Sequence, residues 1–346
     1  METLGKSRGP TIKDIAQAAG VSKSAVSRAL LGQGEVSQDT RERVERAARE
    51  MGYVANAMAR GLVSSSTHTL GVVLRDVANP FYANLYAAMQ REAEKHGYRV
   101  VTATSAGELE LEDALGALRT LISLQVDGLV IASAQLPSED IVPFMGRVPI
   151  VVAGRRESSA SITSVYCDDE DGGQQMADLV AAAGHRRVAV ILVDKSYSLS
   201  QNIRGLSMID TLRSKGVAAD VYPVNSDSDA PVAASSVISH GAATAVMCPT
   251  DASLVAVLEV FRELGLRAPE DISATGYDAL GPLASPFLGL TSFHQPIEEI
   301  ATTSVDLLLD MIKGSQIRDR HVALRGSVSA GRTLGPPREP GAASAR

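Results

Sequence analysis

Residues 11–30 read TIKDIAQAAGVSKSAVSRAL. Ile12, Ile15, Ala16 and Ala19 recur at helical spacing, and Val26, Ala29 and Leu30 repeat the pattern beyond Gly20. Ala16 is small enough for two helices to touch, Gly20 supplies the turn, and Val26 locks the second helix onto the first. That is the spacing of a helix-turn-helix, whose second helix, residues 22–30, projects into a major groove. Its outward side carries Lys23, Ser24, Ser27 and Arg28. Arg28 can make a bidentate contact with a guanine edge, Lys23 can reach a guanine or a phosphate, and Ser24 can pair with donors or acceptors. A plain helical hairpin would share the three-position spacing, so the neighbouring residues carry the distinction.

Those neighbours continue the pattern. Val44, Ala47, Ala48 and Met51 mark a third helix. Thr11, Ser22 and Ser37 can accept hydrogen bonds from the orphan amides at the three helix starts, and Gly20 and Gly52 suit the exits. Residues 53–69 turn Ala-rich and then run through Ser64-Ser65-Ser66, which reads as a linker with a domain boundary near residue 67.

At 346 residues the chain is long enough for a small domain and a two-lobed body. Apolar content of 45% with 21% charged residues is that of a soluble globular protein, and no apolar run approaches the roughly 18 residues of a membrane span. The N-terminus lacks the apolar core of a secretory signal, so a cytoplasmic location is expected. Cys167 and Cys248 are far apart and outside any C-x-x-C, as expected of buried reduced thiols. The net charge of −7 divides into +3 over residues 1–66 and −10 over the rest. The total therefore does not exclude nucleic acid, because phosphate responds to local charge.

From Leu70 short β-rich runs (LGVVL, YRVVTA, GLVIAS, IVVAG, VAVILV, AVMC, SATGYD) alternate with helical stretches near 81–96, 169–183, 251–264 and 297–312. Continuous apolar strands separated by helices imply parallel sheets covered on both faces. There are too many for one compact half, so two α/β lobes are expected, with a ligand at the carboxyl ends of the strands. The closing GPPREPGAASAR has no periodicity, reads as a disordered tail over 335–346, and offers no heptads for a tetramerising helix.

The whole run from TIKDIAQAAG to ANAMARGL resembles the N-terminal domain of LacI-type (lactose and galactose repressor) transcription regulators. DVANPFY (76–82), VDGLVIAS (126–133), AGHRRVAVI (183–191), CPTDASL (248–254), PEDISATGYD (269–278) and TSFHQP (291–296) extend the resemblance to about Leu334. It implies an all-α helix-turn-helix headpiece at 1–53, a hinge helix and linker at 54–67, and a periplasmic-binding-protein-like body at 68–334. Within that body three crossovers join an N-lobe (about 68–165 and 295–320) to a C-lobe (about 166–294 and 321–334). By the same resemblance Lys23, Ser24 and Arg28 read bases, and Thr11, Ser27, Ser37, Thr40 and Asn56 hold phosphates. Ala59 and Leu62 belong to the hinge in the minor groove, with Leu62 as the wedge between base pairs. Two residues depart from the pattern: Ala55 replaces a usual proline, and Gly61 lowers helix propensity by about 1 kcal/mol.

For the effector, Arg204 and Asp278 are the first candidates, joined by Asp76, Asn79, Phe81 and Thr250; Phe81 fits core or pocket equally. Arg204 and Asp278 could instead be a structural salt bridge. Gly154 stands where many members carry a sugar-binding aspartate, and Arg155 and Arg156 follow it, which suggests a sugar or sugar derivative with an acidic or phosphorylated group. His185 in GHRR reads as a surface or capping residue. A pseudo-palindromic double-stranded operator, a homodimer to span it, and no cofactor, metal or membrane complete the expectation. No dinucleotide fingerprint, phosphate loop, H-E-x-x-H, metal-spaced histidines or G-x-S-x-G occurs, so an enzyme is not expected. A solute-binding protein would share the body, but it would need an export signal and no helix-turn-helix.

Overall fold

The computed structural model describes residues 9–31, 35–53, 66–104, 111–133 and 136–338. They fall into two units, Met1–Thr67 and His68–Arg346. Asn56, Ala59 and Leu62 lie outside the described residues.

The first unit contains α1 (Ile12–Ala19), α2 (Lys23–Leu31) and α3 (Gln38–Glu50). Ile15, Val26 and Val44, one from each helix, are fully buried together, and alanines at 16, 19, 29, 47 and 48 let the three axes approach. Met51, counted with the apolar face from its spacing, is instead 39% exposed at the end of α3. The Ser22 hydroxyl accepts from Ala25 N–H at 3.1 Å and the Ser37 hydroxyl from Thr40 N–H at 3.3 Å, so both cap as expected. Thr11 works in the other direction. Its hydroxyl and its backbone N–H both donate to the Asp14 carboxylate, at 2.7 and 2.8 Å. Gly20 leaves α1 at φ +67°, a left-handed turn open to glycine without steric cost.

The second unit opens with a parallel sheet made from β1 (Thr69–Leu74), β2 (Arg99–Ala103), β3 (Gly128–Ala132), β4 (Ile150–Ala153) and β5 (Thr163–Cys167), in the order β5-β4-β3-β1-β2. Its connections include α4 (Pro80–Lys95), α5 (Leu111–Ser123) and the short α6 (Ser138–Ile141). Alternate residues of a strand face opposite sides, and β1 shows it: Val72 and Leu74 join the cluster containing Leu85 of α4, while Val73 joins the one containing Leu118 of α5. Both faces are thereby covered, which explains the unbroken apolar strands.

After α7 (Asp169–Ala182) the chain builds a second parallel sheet from β6 (Arg187–Val193), β7 (Ala218–Val224), β8 (Ala245–Met247) and β9 (Ser273–Thr275), ordered β7-β6-β8-β9. α8 (Leu199–Ser214), α9 (Ala230–His240) and α10 (Asp251–Glu263) connect these strands. Then β10 (Ser292–His294) leads into α11 (Ile297–Ile312), which returns to the first lobe, where Leu308 shares the core of β1. β11 (His321–Leu324) pairs in parallel with β5, and β12 (Ser327–Ser329) pairs antiparallel with β10. The chain therefore crosses between the lobes three times, near residues 168, 295 and 325.

Several expectations change here. Residues 321–324 belong to the first lobe's sheet, so the last crossing falls after Leu324 rather than before 321. Of the expected disordered tail, residues 335–338 are held against the body, with the Arg338 guanidinium 3.0 Å from Asp271, and residues 339–346 lie outside the described residues. His185 is neither exposed nor a cap. It is fully buried, bonded to the Thr244 hydroxyl (2.8 Å) and the Gly335 carbonyl (3.0 Å), and burial lowers its pKa. The edge strands β7 and β11, whose exposure alternates along the chain, were not read from the sequence because one side of each faces solvent.

Candidate functional site

Two places gather the residues singled out by the sequence. On α2, Lys23, Ser24 and Arg28 are exposed while Val26 and Ala29 are buried, so the apolar stripe fixes which side faces outward. Arg28 Nε donates to the Ser24 carbonyl at 3.3 Å, which lays the guanidinium along the helix. Ser27 is half-buried. Ser37 and Thr40 stand at the first turn of α3, where the Ser37 hydroxyl donates to Thr40 Oγ1 at 2.9 Å. Thr11 occupies the same place on α1. A helix start presents unpaired N–H groups and a partial positive charge, which suits a phosphate.

The second place is a cavity of about 290 Å³ in the second unit, at the carboxyl ends of both sheets. Each sheet reverses its strand order there, between β1 and β3 and between β6 and β8, and such a reversal leaves a crevice. All six residues expected from the sequence line it: Asp76, Asn79, Phe81, Arg204, Thr250 and Asp278. Two of them also do structural work. The Asn79 side chain accepts from Phe81 N–H at 2.9 Å and starts α4, and Thr250 caps α10 by accepting from Ser253 N–H at 3.1 Å. Phe81 is half-buried and meets Gly154 closely: a Cβ at residue 154 would sit 2.9 Å from the ring. Gly154 also has φ +84°, so the aspartate common at that place would be both crowded and strained.

Arg204 is the centre of the charge network. Its Nε stands 3.1 Å from Asp169 Oδ1 and its Nη1 3.4 Å from Asp278 Oδ1, with the guanidinium 3.8 Å over the Tyr277 ring. Only 5% of the Arg204 side chain is exposed. The structural salt bridge and the ligand site are thus one arrangement, and Asp169 is a member that the sequence reading missed. Asp251 is another. It accepts from Ala279 N–H at 2.7 Å and from the Ser292 hydroxyl at 2.5 Å, and its own N–H donates to the Tyr277 carbonyl at 2.7 Å. These bonds grip the backbone on both sides of Asp278, whose φ of +119° is costly for a residue with a Cβ. Gln295 Nε2 then donates to Asp278 Oδ1 at 2.6 Å.

One guanidinium serves several carboxyls in this poorly solvated place. Burial pushes Asp278 up to about 7, although Arg204 opposes the rise. Burial likewise raises Asp169 to about 6, again against Arg204, and Asp251 to about 6, against the hydrogen bond from Ser292. Elsewhere on the wall Arg75 donates through Nη1 to the Tyr197 carbonyl at 2.8 Å and lies 4.2 Å over that ring. The Gln201 side-chain oxygen is buried with no protein partner among the described residues. The arginines after Gly154 do not form an anion pocket. Arg155 lines the cavity but pairs with Glu157 at 2.6 Å, and Arg156 is exposed, 3.5 Å from Glu170. The case for an acidic ligand therefore loses its basis.

Comparisons with known proteins agree with this architecture. Residues 11–56 match the model for bacterial regulatory proteins of the lacI family, and residues 177–334 match the periplasmic binding protein-like domain. The chain is 28% identical over 342 residues to the transcriptional repressor CytR of Escherichia coli K12, covering 95% of this chain and 99% of that one. It is 29% identical over 322 residues to the ribose operon repressor of Haemophilus influenzae, covering 91% and 95%. The lac repressor dimer bound to operator and the anti-inducer ONPF superposes with a TM-score of 0.79 at 25% identity, over 94% of this chain and 99% of that one. A helix-turn-helix domain followed by a two-lobed periplasmic-binding-protein-like body, in one chain matched over 95% of its length by such a repressor, makes this protein similar throughout to the lacI family of bacterial regulatory proteins.

Proposed function

We propose that this chain is a transcriptional repressor, not an enzyme, that binds a pseudo-palindromic operator as a homodimer in the cytoplasm and is released by a sugar-like effector. The observation that carries the reading is the pairing of an outward-facing Lys23-Ser24-Arg28 edge on α2 with a cavity built around Arg204 and Asp278. Lys23, Ser24 and Arg28 would read base edges, while Thr11, Ser27, Ser37, Thr40 and Asn56 would hold phosphates and fix register. Ala59 and Leu62 would enter the minor groove at the operator centre, between the headpiece at 1–53 and the body from residue 68. Two half-sites about one helical turn apart require two recognition helices, hence the dimer.

In the cavity Arg204 offers donors, Asp278 an acceptor, and Gln201 an acceptor with no protein donor among the described residues. Asp76, Asn79 and Thr250 add polar atoms, and Phe81 adds a flat apolar wall. A neutral polyhydroxylated ring satisfies that set, since hydroxyls donate and accept while the ring face covers an aromatic. The effector acts by binding one lobe arrangement more tightly than the other.

Selection of bound duplexes from a random pool, followed by a screen of neutral sugars and their derivatives for release, tests both halves. A palindrome with a central pyrimidine–purine step is expected. A consensus lacking two-fold symmetry would sink the dimeric operator reading. Release by acidic ligands alone would sink the neutral one.

A further inference from the structure

Away from the cleft, three side chains on two helices converge at the opposite end of the first lobe. Because α4 runs back antiparallel to its strands, it begins at the cleft with Pro80 and ends near the start of β2. There Glu92 and His96, four residues apart, face Asp306 of α11. Glu92 Oε1 is 3.3 Å from His96 Nε2, and that same nitrogen is 3.4 Å from Asp306 Oδ1. All three donor atoms lie within 4.8 Å of one another.

These separations have a chemical meaning. With metal–ligand bonds of 2.0–2.1 Å, neighbouring donors of a tetrahedral zinc stand about 3.3–3.4 Å apart. Two of the three edges already have that length, so a cation can enter with little rearrangement. The second Glu92 oxygen is held by Lys95 Nζ at 2.7 Å and by the Thr302 hydroxyl at 3.3 Å, which orients the carboxylate and leaves Oε1 directed at His96. The Glu92 side chain is 10% exposed, whereas His96 and Asp306 are 41% and 51% exposed, giving an anchored floor with an open mouth for entry and for water ligands. A donor set of one imidazole and two carboxylates with no thiolate suits zinc, cobalt or manganese, and neither copper(I) nor the all-oxygen cages of calcium.

We propose that Glu92, His96 and Asp306 form a divalent transition-metal site, with zinc as the best-fitting ion, that ties α4 to α11 at the end of the lobe remote from the cleft. Lys95 opposes the cation by charge, so the site is tuned below the affinity that its three ligands would otherwise give. The sequence expectation of no metal rested on linear motifs, and Asp306 is distant in the chain.

The full chain, stripped with chelator and dialysed, should be titrated calorimetrically with zinc chloride and spectroscopically with cobalt(II). One equivalent is expected to bind, with a His96-dependent visible cobalt band and a higher unfolding temperature in the presence of zinc. His96→Ala and, separately, Asp306→Asn should each weaken binding at least ten-fold, and Lys95→Ala should tighten it. Both His96 and Asp306 are at the surface, so folding of the variants is checked by circular dichroism alongside. Equal zinc affinity in the wild-type chain and the two ligand variants would overturn the proposal, as would the absence of a one-to-one event below millimolar zinc.

Discussion

Arg204 Nη1 lies 3.4 Å from Asp278 Oδ1, in a chain whose Arg204 also carries Asp169 at 3.1 Å and whose Asp278 is raised to about 7 by burial. A raised carboxyl pKa reverses the usual contribution of an acidic group to stability. Between the ordinary 3.8 and about 7 the folded body keeps a proton that the unfolded chain has released. Stability therefore falls as pH rises through that window and levels off above it. Asp169 and Asp251, both raised to about 6, add slope of the same sign. Urea unfolding of the wild-type chain between pH 4.5 and 8, compared with Asp278→Asn, should show a shallower decline in the variant. Identical slopes would mean that Asp278 titrates normally.

The same proton bears on ligand binding. A ligand hydroxyl that donates to Asp278 prefers the ionised carboxylate, so effector affinity should rise with pH up to about 7 and then flatten. In Asp278→Asn that dependence should vanish and affinity should fall. Calorimetry with whichever ligand the screen returns would reveal both, and a pH-independent wild-type affinity would count against a direct contact.

Asp251 holds the backbone around Asp278 through Ala279 N–H and the Ser292 hydroxyl. Asp251→Ala leaves these two buried donors unpaired, so a loss on the order of 3 kcal/mol in unfolding free energy is expected. Ligand affinity should drop further than stability alone dictates, because the strained Asp278 conformation loses its clamp. A variant with reduced stability but unchanged affinity would limit Asp251 to packing.

Gly173 lies where α7 meets α8, and a Cβ there would strike the Arg204 backbone carbonyl and approach the Ser207 side chain at 2.8 Å. Gly173→Ala must push the helices apart and move Arg204 with them. A stability loss of roughly 1–3 kcal/mol is expected from such overpacking. Weaker ligand binding with operator affinity retained in ligand-free protein would separate this effect from unfolding.

Arg28 is exposed on α2, with its Nε resting on the Ser24 carbonyl. Arg28→Ala should cost about 1–3 kcal/mol at one base position of each half-site and relax specificity there, as measured by competition among single-base operator variants. Thr40→Ala, at a helix start, should weaken all sequences alike. Uniform weakening by Arg28→Ala would reassign it to phosphate.

Local spacing determined much of this protein. The helical period of Ile15, Val26 and Val44 and the turn at Gly20 defined the headpiece, and the apolar strand runs defined parallel sheets, because side-chain periodicity and left-handed turns are properties of neighbouring residues. The same locality placed Asp76, Phe81, Thr250 and Asp278 after strands, and therefore at the cleft. What the chain order could not express was which distant groups share a charge. Asp169 beneath Arg204, Asp251 gripping Ala279, and Asp306 facing His96 join segments with no common pattern in the sequence, while Glu157, only two residues from Arg155, is brought onto it by the local fold of the loop. Burial and partnership are set by through-space distance and solvent exclusion. Only the tertiary structure could turn Arg155 from a ligand cation into half of an ion pair, and Asp278 from an ordinary carboxylate into one that titrates near neutrality.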